Sequence, residues 1–95
     1  MNKHRVVIVG VGSIGQRHLR CFGNTGRAEL SICEVNEELR KKVAAEYGVS
    51  RTYDQWQAAL ADPHDAAVIA VPAHLHIPIA TGMAEVGLHL LIEKP

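Results

Sequence analysis

At 95 residues with 47% hydrophobic content, the chain has room for one domain, residues 1–95, with a packed core. Ten basic and ten acidic side chains cancel, and no run of like charge exists to follow a nucleic-acid backbone or an anionic membrane, so neither partner is expected. Without a signal-peptide core, a bilayer-length apolar stretch or a C-x-x-C pair, the chain reads as cytoplasmic, with Cys21 and Cys33 as reduced core thiols.

The first element is an apolar strand, Arg5 to Val9, that passes directly into Gly10-Val11-Gly12-Ser13-Ile14-Gly15. The spacing G-x-G-x-x-G suits a phosphate-binding turn. Its first glycine permits a tight turn, its second lets backbone approach a pyrophosphate, and its third lets the following helix pack close to the strand. That helix, Ile14 to about Phe22, opens at Ser13 and Ile14, where free N–H groups and the positive dipole end face a ligand. Ile14, Leu19 and Phe22 fall toward one side, and Gly23-Asn24-Thr25-Gly26 ends the helix.

Ala28 to Glu34 is the second strand, with Leu30 and Ile32 on one face and Ser31 and Cys33 on the other. Glu34 lies 19 residues beyond Gly15, close to the roughly 20 expected of a carboxylate that accepts hydrogen bonds from an adenosine ribose. On its own the glycine spacing also fits a turn that binds nothing. The preceding strand, the following helix and Glu34 together favour a nucleotide site, and Glu34 otherwise reads as a solvated strand-end carboxylate.

Asn36 caps a second helix to about Tyr47, in which Leu39, Val43 and Tyr47 recur every fourth residue and Gly48 is the stop. Val49 to Thr52 is a short strand candidate, and Asp54 is placed to cap a helix from Gln55 to about Leu60. Ala66 to Val71 is a continuous apolar run, as expected of a parallel strand covered on both faces. Pro72 and Pro78 bracket a turn and the start of a helix to about Val86, Gly87 ends it, and Leu88 to Ile92 is the last strand before Glu93-Lys94-Pro95.

Strands alternating with helices predict an α/β fold, a doubly wound parallel sheet of Rossmann type with strand order 3-2-1-4-5, lacking the sixth strand usual in a full dinucleotide fold. The last strand is then an unpaired edge and a place for self-association. A carboxylate at Glu34 suits two ribose hydroxyls and repels a 2′-phosphate, so NAD is favoured over NADP, although Arg40 is within reach from the next helix.

With the glycine motif, Val71-Pro72-Ala73-His74-Leu75-His76 and Glu93-Lys94-Pro95 in place, the whole chain resembles the Gfo/Idh/MocA family of glucose-fructose oxidoreductase and inositol dehydrogenase. The resemblance implies an N-terminal nucleotide-binding domain here, with the family's C-terminal substrate domain absent. It implies hydride transfer between nicotinamide and a sugar, cyclitol or similar hydroxyl compound. Lys94 matches the family lysine that contacts the reacting oxygen, where an ammonium stabilises developing negative charge; otherwise it is a tail lysine in water.

Val71, Pro72 and His76 match the cofactor-side turn after the fourth strand, Glu93 belongs to the Glu-Lys-Pro signature, and His18 matches a helix histidine for which packing is expected. His74-x-His76 also has the form of a metal-chelating pair, but no cysteine or acid stands near in sequence and two turn histidines are favoured, so no metal is expected. His4, His64 and His89 fall at element edges and suggest no function. The family's Lys-Pro bond is commonly cis; here a trans or disordered end is expected at Pro95.

Because the family's general base resides in the second domain, the 95-residue chain is expected to bind cofactor without turnover, and a polyol substrate belongs to a longer protein. Two other functions fit parts of the pattern. One is a non-catalytic NAD(H)-sensing or interaction module, which needs the glycines but not Lys94. The other is an adenosine-cofactor methyltransferase, which leaves Glu-Lys-Pro unexplained.

Overall fold

A computed structural model describes residues 4–93. Its elements, in chain order, are β1 (His4–Val9), α1 (Ser13–Thr25), β2 (Ala28–Cys33), α2 (Glu37–Tyr47), β3 (Arg51–Tyr53), α3 (Trp56–Ala59), β4 (Ala66–Ile69), a 3-10 turn (Ala73–Leu75), α4 (His76–Glu85) and β5 (His89–Ile92). All five strands are parallel, in the order β3-β2-β1-β4-β5. The doubly wound order expected from the alternation is the one observed.

Strand periodicity divides the core into two layers. Val6, Ile8, Ile32 and Val68 pack with Leu19 of α1 and Val43 of α2 on one face of the sheet. Val7, Val9, Cys33, Ala67 and Ile69 pack with Ala59 of α3 and with Ile79 and Met83 of α4 on the other. Central β1 and β4 are buried on both faces, which is why their sequences read as unbroken apolar runs.

Element boundaries depart from expectation where local geometry intervenes. Helix α1 continues through Gly23 to Thr25 and stops only at Gly26, whose φ of 65° breaks the helical path. A glycine inside a helix costs about 1 kcal/mol relative to alanine, too little to end it. The inward stripe of α1 is Gly15, Leu19 and Phe22, so Ile14 sits off it and is 39% exposed. Cys21 likewise points outward and is exposed, a correction to its reading as a core thiol; Cys33 is buried.

The N–H of Val49 donates to the Ala44 carbonyl, so this residue closes α2 and β3 starts later, at Arg51. Asn36 caps α2 as expected, accepting from the Leu39 N–H. Asp54 does not cap α3: Gln55 occupies the N-cap, with no side-chain bond. Strand β4 ends at Ile69, and the 3-10 turn precedes α4, whose third residue is Pro78. A proline in a helix's first turn sacrifices no intrahelical hydrogen bond. No helix among the described residues is long and apolar enough to cross a membrane.

Candidate functional site

Parallel sheets gather their loops at the carboxyl ends of the strands, and here the connections diverge between β1 and β4, because β2 lies on one side of β1 and β4 on the other. Such a switch point opens a crevice. A cleft of about 620 Å³ occupies it, bounded by Gly10 and Gly12 after β1, Cys33 and Glu34 at the end of β2, and Val71 and Pro72 after β4.

Each glycine of the motif meets a different constraint. Gly10 has φ 89°, and a Cβ there would lie 2.7 Å from Val71 Cγ1 and 2.8 Å from the Ala70 carbonyl oxygen. At Gly15 a Cβ would stand 1.9 Å from the Gly10 carbonyl oxygen, so α1 approaches the turn only because that side chain is hydrogen. Gly12, by contrast, has nothing within 4 Å of its Cβ position. The protein itself therefore places no steric demand on Gly12, and the bare backbone faces open space at the helix N-terminus. Ser13 and Ile14 form the first exposed turn of α1 beside it.

Glu34 is anchored to main chain. Its Oε1 accepts from the Val11 N–H at 3.1 Å and its Oε2 from the Asn36 N–H at 3.0 Å, which ties the end of β2 to the glycine turn. Arg40 reaches back from α2 and donates from Nη1 to the Glu34 carbonyl oxygen at 2.8 Å. A cation therefore stands beside the Glu34 main chain. Burial, reinforced by the neighbouring Glu34 charge, pushes the Cys33 thiol up to about 12, so it remains protonated at the cleft floor.

The two histidines after β4 part company. His74 is exposed and lines the cleft, whereas the ring of His76 donates from Nε2 to the Val71 carbonyl at 2.6 Å and braces the turn. Glu93 stands away from the cleft wall: Oε1 lies 2.5 Å from His18 Nε2. Lys94, and with it the geometry of the bond to Pro95, lies outside the described residues.

The model of the GFO/IDH/MocA oxidoreductase family, described as an NAD-binding Rossmann fold, matches residues 4–95. The chain belongs to this family. This GFO/IDH/MocA domain is 40% identical to the levoglucosan dehydrogenase of Pseudarthrobacter phenanthrenivorans, a match that takes in all of this chain and 27% of that enzyme. It is 35% identical to an inositol 2-dehydrogenase of Corynebacterium glutamicum, with 96% of this chain and 28% of the other covered. Among solved structures, the WlbA dehydrogenase of Bordetella pertussis, in complex with NADH and UDP-GlcNAcA, superposes with a TM-score of 0.91 at 36% identity, over all of this chain and 29% of that one. The GFO/IDH/MocA chain thus spans under a third of the length of these relatives.

Several cleft residues of this GFO/IDH/MocA domain escaped the sequence reading. Trp56 and Gln55 wall the side beyond β3, and Val35, Leu39, Leu75 and Pro78 complete an apolar surround. Trp56 is seated by Gly82 of α4, where a Cβ would fall 2.4 Å from the indole ring. The available signal is the rule that residues just past the strand ends line the crevice; the sequence reading ends β3 at Thr52, one residue short of the observed Tyr53.

Proposed function

We propose that this chain is the NAD-binding part of an oxidoreductase that moves hydride between nicotinamide and a sugar, cyclitol or similar hydroxyl compound. The observation that carries this reading is the open space over Gly12, at the N-terminus of α1 and beside the tethered Glu34 carboxylate. A pyrophosphate laid against Gly10, Gly12 and the Ser13–Ile14–Gly15 turn meets main-chain N–H groups and the helix dipole. Glu34, held by two N–H groups, keeps oxygen lone pairs for a ribose diol. Val71 and Pro72 form the opposite wall.

A nicotinamide held in this cleft supplies reversible hydride acceptance. The part assigned to Lys94 is to place an ammonium at the reacting oxygen, where it stabilises the alkoxide-like charge. Support comes from its place in Glu-Lys-Pro directly after β5 and from relatives whose names are sugar and cyclitol dehydrogenases. NAD is preferred to NADP because Glu34 repels a 2′-phosphate, with Arg40 moderating that preference. Binding without turnover is the expected behaviour of the 95 residues alone. Self-association through the outer edge of β5, where Leu91 and Ile92 are 47% and 42% exposed, belongs to the same reading. Concentration-dependent sedimentation checks it.

The single tryptophan, Trp56, lines the cleft and serves as the reporter. Titration with NADH is expected to quench its emission saturably, with energy transfer to the dihydronicotinamide. An unchanged spectrum at millimolar NADH, together with no heat in calorimetry, overturns the reading.

A further inference from the structure

The glycine turn is fastened peptide by peptide. The Gly10 N–H donates to the Cys33 carbonyl at 2.8 Å, the Val11 N–H to Glu34 Oε1 at 3.1 Å, and the Gly12 carbonyl accepts from the Gln16 N–H at 2.9 Å. The Val11 carbonyl is held differently, by a side chain: Gln16 Nε2 donates to it at 2.9 Å. Val11 is 0% exposed, so this oxygen has no water to turn to, and without Gln16 it is an orphaned acceptor.

Gln16 is itself oriented from behind. Arg20 Nη1 donates to the Tyr47 hydroxyl oxygen at 2.8 Å, and that hydroxyl lies 3.5 Å from Gln16 Oε1. A guanidinium can only donate, so the Tyr47 oxygen accepts from it and turns its own proton toward the Gln16 carbonyl oxygen, which leaves the amide nitrogen facing Val11. The bonds therefore run in one direction, from α1 through the last residue of α2 and back to the turn.

This arrangement decides what the turn offers on its other side. In a trans peptide the carbonyl and the following N–H point opposite ways, so fixing the Val11 carbonyl toward Gln16 turns the Gly12 N–H away from it. Gly12 lines the cleft, whereas Gln16, Tyr47 and Arg20 are not among the described residues that do. Among the described residues the Gly12 N–H has no acceptor, and the N–H groups of Ser13, Ile14 and Gly15 precede the first intrahelical bond of α1.

We propose that Gln16 is a positioning residue: held by Tyr47 and Arg20, it fixes the plane of the Val11–Gly12 peptide so that the Gly12 N–H is aimed into the cleft before a pyrophosphate arrives. The inference rests on the NAD-binding reading above and adds to it a set of side chains that touch no ligand. Ordering the peptide in advance spares the ligand that cost.

The experiment compares ADP, which carries the pyrophosphate, with adenosine, which lacks it, on the 95-residue chain by NMR titration, which reads weak binding directly. Gln16→Met keeps the length and helix preference of the side chain and removes the donor. It is expected to weaken ADP by about three- to tenfold, the equivalent of one net hydrogen bond, with adenosine unchanged. Tyr47→Phe, which frees the Gln16 amide to turn over, is expected to weaken ADP by about twofold. The double variant Gln16→Met/Tyr47→Phe is expected to lose no more than Gln16→Met, because both changes break one chain of contacts.

Unchanged ADP affinity in either single variant overturns the proposal, as does an equal loss of ADP and adenosine, or losses that add in the double variant. If Gln16→Met fails to fold by circular dichroism, a Tyr47→Phe chain with wild-type melting decides alone: weaker ADP with unchanged adenosine supports the proposal, and any other result overturns it. A wild-type chain that binds neither probe overturns the NAD-binding reading itself, and the role of Gln16 falls with it.

Discussion

Gly15 packs against the Gly10 carbonyl so closely that a Cβ on Gly15 would stand 1.9 Å from that oxygen, whereas Gly12, between them in sequence, has an open Cβ position. Two glycines of one motif therefore answer to the fold and one is free of it. The expected consequence is a clean separation of effects. Gly15→Ala is expected to destabilise the chain by about 3 kcal/mol or more, since backbone rather than a movable side chain must give way. Gly12→Ala is expected to melt within about 1 kcal/mol of wild type and yet lose NADH affinity, because the added methyl enters space left for the pyrophosphate. Urea melts and NADH titrations of the two variants check this.

Glu34 has a double task, joining β2 to the glycine turn and facing the cleft. Glu34→Ala leaves the Val11 and Asn36 N–H groups without their acceptor and is expected to cost about 1–3 kcal/mol of stability. The same change is expected to weaken NAD more than NADP, because it removes a diol acceptor and a 2′-phosphate repeller together. Arg40→Ala is expected to shift the preference back toward NAD. Equal losses for the two cofactors in Glu34→Ala, measured by calorimetry, argue that the carboxylate never meets the ribose.

The two cysteines are expected to differ sharply toward alkylation. Cys21 is exposed on α1, while Cys33 is 3% exposed and its thiol is pushed up to about 12 by burial first and the Glu34 charge second. The thiolate is the reactive form. Iodoacetamide at pH 8 is expected to label Cys21 in the folded chain and to reach Cys33 only in denaturant, as peptide mapping reads directly.

His64 makes folding stability depend on pH. The hydroxyl of the buried Ser31 lies 2.8 Å from Nε2, and Nδ1 lies 3.1 Å from the Asp62 carbonyl, an arrangement that a neutral ring satisfies by accepting at Nε2 and donating at Nδ1. Burial lowers the imidazole from its ordinary value of 6.5, so the unfolded chain takes up a proton before the folded one does. Stability from this group is complete above pH 6.5 and is lost as pH falls below it. Urea melts at pH 8.0 and 5.5 are expected to show a smaller difference in His64→Gln than in wild type.

The sheet order was legible because each cue is local. Apolar runs at β1 and β4, the cap at Asn36 and the turn glycines at 26 and 48 act within a few residues of themselves. Ile14 misled because its neighbour Gly15 occupies the inward position, and an apolar stripe that includes a glycine is invisible to a hydrophobicity count. The starts of β3 and α3 fall later than the sequence suggests because the Val49 N–H closes α2 on the Ala44 carbonyl, and Gln55 rather than Asp54 stands at the N-cap of α3.

For the candidate site, the motif spacing alone places Gly10, Gly12, Gly15 and Glu34 near one another, since the carboxyl ends of adjacent parallel strands lie side by side. It gave no sign that Trp56 sits on Gly82 or that His74 rather than His76 faces the cleft.

By itself, then, the amino-acid sequence determined the alternation of elements, the glycine turn and the acid at the end of β2, because backbone preference and periodicity are properties of short segments. The pairing of His18 with Glu93, the outward turn of Cys21 and the reach of Arg40 to Glu34 were decided only by tertiary structure. These depend on how far one helix slides and rotates against the sheet, and that is settled by the packing of the two core layers together.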